Sequence, residues 1–384
     1  MPYYPQSPGF YPPLDSVTDG QLANMPAGTV KGRALGAGVG DPQNLTPAQL
    51  QAMVGLSYRN ILGRNGGCEV WQRIPNGASL AAAGSMYAAD GWFVACGANQ
   101  LTNIAQGGSL TPGSHTSLSV SRSSGQTGTG LYWVEYPLDT DEIAFARSNF
   151  VTLSFLVYGG PNFSPAAGAF TAGLYVGTGA PARRIMGVYT NETAPLYKTF
   201  NAALNAVTPC VMTSTAIVPS NASQASLVFQ WAPVGTAGAQ DYIAFDDVQL
   251  EVGSFATPFE RRPFESELQA CRRRYWKTFP YATAPAQNAG VDGAYSAPQI
   301  TAAGSGNESP SYPFPVPMRA VPTITLFNPS AANNQMRNPY TATDCSGTVP
   351  FATTWGLNRL YTVNAVGSIA GQINSVHIAA DAEI

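Results

Sequence analysis

The chain has two histidines, His115 and His377, and neither has the sequence neighbours that nucleophilic catalysis requires. His115 sits in the loop-like stretch "TPGSHTS" without a nucleophile elbow, and His377 lies in a terminal apolar run that reads as a strand. The densest carboxylate group is "LDTDEIAF", with Asp139, Asp141 and Glu142. Glycoside hydrolysis needs two carboxyls facing each other across a bond, whereas carboxyls this close along the chain predict a solvated turn. The five cysteines, Cys68, Cys96, Cys210, Cys271 and Cys345, are odd in number, far apart and form no CxxC pair, which predicts buried free thiols. "GAGVGD" lacks the flanking strand, helix and acidic residue of a dinucleotide fingerprint. Aromatic chemistry remains. Rings can cover the apolar faces of sugars, and Tyr87, Trp92, Trp133, Trp231 and Trp355 are available. Large aromatics usually fill cores, so the best candidate is one with polar neighbours in a loop-rich region. Trp355 with Asn358 and Arg359 fits, and these three with Trp133 are the candidate glycan-binding residues.

The elements that must position these rings are short strands. Only 11% of the 384 residues are charged, while Gly (39) and Pro (31) are abundant, a composition of many turns. The net charge of −3 leaves no basic face for phosphates, so no nucleic acid partner is expected. Apolar runs stay below the length of a membrane span, and the N-terminus lacks a signal-peptide pattern, so the expectation is a soluble chain not exported by that route and not inserted in a membrane. From about residue 57 to 262 the apolar pattern has period two in "GLYWVEY", "FVTLSFLVY", "FTAGLYV", "RRIMGVY", "ASLVFQW" and "YIAFDDVQL". Val151, Leu153, Phe155 and Val157 share one face, with Leu156 the exception on the other. Such strands without helices between them predict an all-β chain built on a jelly-roll β-sandwich.

Both ends differ from this pattern. "YYPQSPGFYPPL" has aromatics and prolines without periodicity, and is read as an extended peptide that docks on another protein through Tyr3, Tyr4, Phe10 and Tyr11. Thr46, Pro47 and Gln49 form a capping box that predicts a helix over 47–54. After Pro263, Leu268, Cys271 and Tyr275 recur at helical spacing, with Glu265 and Glu267 early and Arg272, Arg273, Arg274 and Lys277 late, as the helix dipole favours. This stripe could pack on its own sandwich or on other copies around a three-fold axis; Leu268, Cys271 and Tyr275 are taken as the oligomer interface. "VPMRAVPTITLFNPS" and "GQINSVHIAADAEI" predict a smaller C-terminal β domain. The expected organisation is an N-terminal anchor and linker (1–55), the sandwich (56–262), one short helical connector (263–277) and the C-terminal β domain (278–384).

Four separated motifs in order, "RNILGRNGGCEVWQR", "YAADGWFV", "DDVQLEVGSFATPFERRPFESELQACRRRYW" and "MRAVPTITLFNP" with a terminal "IAADAEI", resemble the tail-fibre and related appendage proteins of tailed bacteriophages. The resemblance covers about residues 56–384. It implies a sandwich similar to carbohydrate-binding jelly-roll modules, a place on the virion, assembly in the bacterial host cytoplasm, other virion proteins as partners of the N-terminal peptide, and a homotrimer. Attachment to a bacterial surface polysaccharide without turnover is the function expected. A collar, neck or capsid spike without receptor binding is the competing reading, and a polysaccharide depolymerase a third. In the jelly-roll modules an early Asn-Gly-Gly-Phe-Glu strand and a late Asp-Asp strand hold a structural calcium, the one cofactor implied. The matching positions are Asn65 to Glu69, with Cys68 in place of Phe, and Asp246-Asp247; Asn65, Glu69 and Asp247 are the implied ligands, with Arg64 or Arg73 as alternative neutralisers of Glu69.

Overall fold

The period-two segments fold as strands in the computed structural model, which describes residues 30–33, 42–45, 49–50, 59–97, 101–300, 306–364 and 370–384. Residues 1–57 and 58–384 form two separate compact units. In the first, β1 (Val30–Gly32) and β2 (Gln43–Leu45) pair antiparallel. Gln49 and Leu50 are helical, within the expected helix. The remainder of that helix, the "GAGVGD" run and the anchor residues Tyr3, Tyr4, Phe10 and Tyr11 lie outside the described residues.

The second unit begins with β3 (Ala78–Leu80), β4 (Ser85–Tyr87), β5 (Phe93–Cys96), β6 (Thr102–Gly107), β7 (Ser117–Arg122), β8 (Tyr132–Leu138), β9 (Val151–Gly159), β10 (Ala169–Gly177), β11 (Thr193–Asn201), β12 (Val207–Thr213), β13 (Gln224–Trp231) and β14 (Tyr242–Val252). They form two six-stranded antiparallel sheets, in the orders β11-β10-β13-β8-β5-β4 and β12-β9-β14-β7-β6-β3. This is the expected sandwich. Val151, Leu153, Phe155 and Val157 are buried between the sheets, and Leu156 faces outward. The core is aromatic: Phe229 and Phe245, on opposite sheets, stack at 4.5 Å, and Phe155 meets Phe229 edge-on at 5.0 Å. Such contacts add about 0.5–1.5 kcal/mol beyond the area they bury. The run at 183–189, expected as a strand, is instead a turn with a 3-10 segment at Arg184–Met186. Its amides from Arg184 and Ile185 donate to the buried Glu135 carboxylate, which satisfies them in place of a ladder.

Helix α1 (Thr140–Ala144) follows β8, with Asp139 and Glu142 forming its capping box. The expected solvated turn is therefore a capped helical turn. Helix α2 (Phe264–Arg272) starts after Pro263 and is shorter than expected. Tyr275 opens a strand, pairing with Asp381. Leu268 and Cys271 are 5% and 1% exposed within one chain, packed on Val70 of the sandwich, and Tyr275 lies under the Arg73 guanidinium at 3.8 Å. The assignment of Leu268, Cys271 and Tyr275 to an oligomer interface is thus corrected. A helix of two turns is marginal alone, and its own sandwich supplies the packing.

The remaining strands are β15 (Tyr275–Lys277), β16 (Tyr295–Pro298), β17 (Asn307–Ser309), β18 (Tyr312–Pro313), β19 (Thr323–Phe327), β20 (Arg337–Asn338), β21 (Thr343–Asp344), β22 (Ser346–Ala352), β23 (Gly356–Asn364) and β24 (Ile373–Asp381). β24 pairs with β15, β16, β19 and β20, while β23 pairs with β17, β18 and β22. A second apolar core containing Trp276, Phe314, Met318, Leu360 and Ile378 fills the space between them. The two cores are joined by ion pairs, that of Arg64 with Glu383 being buried. Arg64 contacts Glu142 at 3.0 Å and Glu383 at 3.1 Å, Arg73 contacts Asp381 at 3.0 Å, and Arg274 contacts Asp139 and Glu142.

Candidate functional site

Trp355 occupies the turn between β22 and β23 and is 70% exposed. Its backbone is fixed on all sides. The Thr353 amide donates to the Gly356 carbonyl at 2.9 Å, the Trp355 amide donates to Thr353 Oγ1 at 3.2 Å, and the Trp355 carbonyl accepts from the Phe314 amide at 2.9 Å. Gly356 is required here because a Cβ would sit 2.4 Å from the Tyr312 carbonyl oxygen. A large ring is therefore held in water on a rigid turn, the opposite of what burial would select. Asn358 and Arg359 follow on β23 and are both exposed. Arg359 is engaged: it contacts Glu308 at 2.8 Å and lies over the Phe351 ring at 4.3 Å, opposite it in register. Phe351 is 41% exposed and belongs to the same surface, although the sequence did not single it out.

Trp133 is elsewhere. It lies half-buried on the outer face of the sandwich, in register with Gln230 and Ala95. A shallow groove of about 350 Å³ opens at the end of that sheet, lined among others by Leu131, Phe170, Thr171, Gln230 and Trp231. Trp92 and Trp231 are buried in the sandwich core, as large aromatics usually are.

The residues implied as calcium ligands are arranged for another cation. Asp247, at a bulge in β14 with φ +50°, accepts from Arg261 Nη2 through both oxygens at 2.8 Å, and Arg261 Nη1 lies 3.6 Å from Glu69 Oε1. Thr111 Oγ1 accepts from the same guanidinium at 2.8 Å. Asn65 is turned away: its Oδ1 accepts from the Val70 amide and its Nδ2 donates to the carbonyls of Val70 and Asp90. The residues do not fit calcium, because the guanidinium occupies the space between the two carboxylates and the Asn65 oxygen is committed. No cluster of His, Cys, Asp and Glu suited to a metal occurs among the described residues. The neutraliser is Arg261 and not Arg64 or Arg73, both of which serve the ion pairs between the cores. Next to Arg261 lies a cavity of about 190 Å³, lined by Glu69, His115, Phe259, Arg262 and Glu267. Asp246, fully buried, accepts from the amides of Asp247 and Leu110, and burial pushes its carboxyl up to about 7.

His377, Asp139, Glu142 and Lys277 have structural partners. His377 is stacked on Phe279 at 3.9 Å, its ring nitrogens bonded to Thr278 Oγ1 and the Gly290 carbonyl, and burial lowers its pKa. Asp139 and Glu142 are held by Arg274. Lys277 Nζ donates to the carbonyls of Gln72, Tyr281 and Thr283, and burial pushes it down to about 8. No disulfide joins the five cysteines, and all are buried.

No protein-family model matches the chain, and no curated protein matches it. Among solved structures, the chain is similar to the enzymatically active domain of bacteriophage CBA120 tailspike protein 4, at 13% identity and a TM-score of 0.31 over 51% of this chain and 22% of that one. The chain thus spans about a fifth of that tailspike's length. It is also similar to a Stig cyclase from Fischerella sp. TAU, at 13% identity and a TM-score of 0.33 over 50% of this chain and 96% of that one. A xylan-binding domain matches at 15% identity and a TM-score of 0.25 over 40% of this chain and 85% of that one.

Proposed function

We propose that this protein is a virion appendage of the tail-fibre kind that grips a bacterial surface glycan, without turnover, through the β22–β23 turn. The observation that carries the reading is Trp355, 70% exposed on a turn whose backbone is hydrogen-bonded on both sides. Pre-ordering a large ring removes the entropy that a mobile one would lose on binding, and its face suits the C–H side of a pyranose. Phe351, backed by Arg359, extends the apolar surface, and Asn358 offers an amide for sugar hydroxyls. One such contact is weak, and several copies on a particle would make the grip useful. The resemblance of four sequence motifs to those of phage appendage proteins supports the virion part of the reading.

The test is staining of intact host bacteria by the labelled full chain. Wild type is expected to stain and to compete with phage adsorption, and Trp355→Ala to lose about five- to thirty-fold in apparent affinity, equivalent to about 1–2 kcal/mol. Staining by Trp355→Ala equal to wild type would show that the turn is not the grip.

A further inference from the structure

Glu135 alternates with the core residues Val134 and Tyr136 on β8, so it points to the outer side of its sheet, where it is nonetheless fully buried. Among the described residues it forms no ion pair. A carboxylate buried without a cation is costly. Its cover is the strap between β10 and β11. The two ends of the strap are tied down: the Gly179 amide donates to Gln224 Oε1 at 2.9 Å, Gln224 Nε2 donates to the Ala180 carbonyl at 2.6 Å, and the Tyr189 hydroxyl donates to the Ala182 carbonyl at 2.6 Å. The tip is open. Met186 and Val188 are 65% and 75% exposed, and a Cβ on Gly187 would meet nothing within 4 Å. Between the first tie and the tip stand two arginines. Arg184 pairs with Glu192 at 2.6 Å, whereas Arg183 forms no ion pair among the described residues and rests on the Phe93 ring at 4.1 Å.

We propose that the strap is a processing site for an endoprotease that cleaves after arginine, that the bond cut is the one between Arg183 and Arg184, and that Glu135 is placed to receive the new amino terminus. Hydrolysis consumes one water: the C–N bond breaks, Arg183 takes the hydroxyl and becomes a carboxylate, and Arg184 is left with an amine that binds a proton. The nitrogen released is the one that already donates to Glu135 Oε1, and the next amide, that of Ile185, donates to Oε2 at 3.3 Å. A neutral N–H facing the buried carboxylate thus becomes the α-ammonium that the carboxylate lacks, without a change of partner. Hydrogen bonds between charged groups are roughly twice as strong as neutral ones. Exposed loop tips are preferred sites of nicking, and Arg183 enters a protease pocket by giving up ring contacts rather than an ion pair. The other arginine run, Arg272 to Arg274, closes α2, and Arg274 is 4% exposed and paired with Glu142. The two fragments stay together because β10 and β11 pair from Ala169 with Asn201 to Leu174 with Leu196 on either side of the cut. The new Arg183 carboxylate is repelled by Glu135, which draws Arg183 off Phe93, a ring only 3% exposed beneath it.

Limited digestion of the full chain with trypsin under native conditions tests this, with fragments identified by mass. Within residues 58–384 the first cut is expected after Arg183, the fragments are expected to elute together until denatured, and Arg183→Gln is expected to slow that cut at least about ten-fold. The nick should lower the melting temperature of Glu135→Gln by at least about 5 °C more than that of wild type, since only the carboxylate can pair with the new ammonium. Should Glu135→Gln fail to fold, acetic anhydride supplies a second readout on the nicked wild type: the Arg184 amine is expected to be acetylated at least about ten-fold more slowly in the folded protein than after denaturation. A strap left intact while other bonds of 58–384 are cut, fragments that separate without denaturant, an equal fall in melting temperature for both proteins, or an Arg184 amine acetylated as fast folded as unfolded would overturn the proposal.

Discussion

At the residue scale, Arg261 shows how a side chain can stand where an ion was expected. Its guanidinium gathers Asp247, Glu69 and Thr111 from three separated parts of the chain. Arg261→Ala should cost about 2 kcal/mol, in line with the loss of hydrogen bonds between charged groups, whereas a chelator should leave the wild-type melting temperature unchanged. A drop on chelation would return an ion to the site. Asp246 gives a pH signature. Its folded value of about 7 lies above the unfolded value near 3.9, so the folded state holds an extra proton between them. The resulting stabilisation is complete below about pH 4 and is lost as pH rises through about 7. Asp246→Asn, which keeps the acceptor for the Asp247 and Leu110 amides, should raise the melting temperature at pH 8 by about 3 °C and flatten the profile between pH 5 and 8 relative to wild type. Identical profiles would mean that another carboxyl dominates. The carboxylate pair was legible as a motif, but the cation was not, because Arg261 lies 14 residues beyond Asp247 and reaches it only after the chain bends at 253–255.

At the element scale, α2 and the last strand carry the junction. The periodicity of Leu268 and Cys271 was legible, and its partner was not, since a stripe says that a face is buried without saying against what. Leu268→Asp should lower stability by at least about 3 kcal/mol through lost burial and a charge placed against Val70. The readout is thermal unfolding with the native mass unchanged below the transition; dissociation without destabilisation would restore the interface reading. Glu383→Gln should cost less, about 1.5–3 kcal/mol, because it removes one of the two carboxylates paired with Arg64, which is 3% exposed and keeps Glu142, and weakens the hold on Arg73. A calorimetric trace matching wild type would show the junction to be redundant. These ion pairs were invisible in the sequence, because Arg64 and Glu383 are 319 residues apart.

At the scale of the whole molecule, the all-β sandwich was legible because alternation in β9 and β14 survives in a sheet with one solvated face. The 183–189 run misled because arginines and a glycine interrupt its alternation, and because it answers to a buried carboxylate that sequence periodicity does not register. Trp355 was legible as an outlier among core tryptophans, while its rigid turn depended on contacts with Tyr312 of β18 and with Phe314 just after it, about 40 residues earlier in the chain. The pairing of β24 with β15, β16, β19 and β20 bears on synthesis at the ribosome. The sandwich can close once β14 has emerged, but the second core lacks its central strand until residue 381 has been made. A chain interrupted before that point would display an assembled sandwich with Arg64 and Arg73 facing no carboxylates from Asp381 and Glu383. Incomplete copies would therefore differ from complete ones at the junction itself, a difference that proteases or assembly partners could read before any copy is built into a particle.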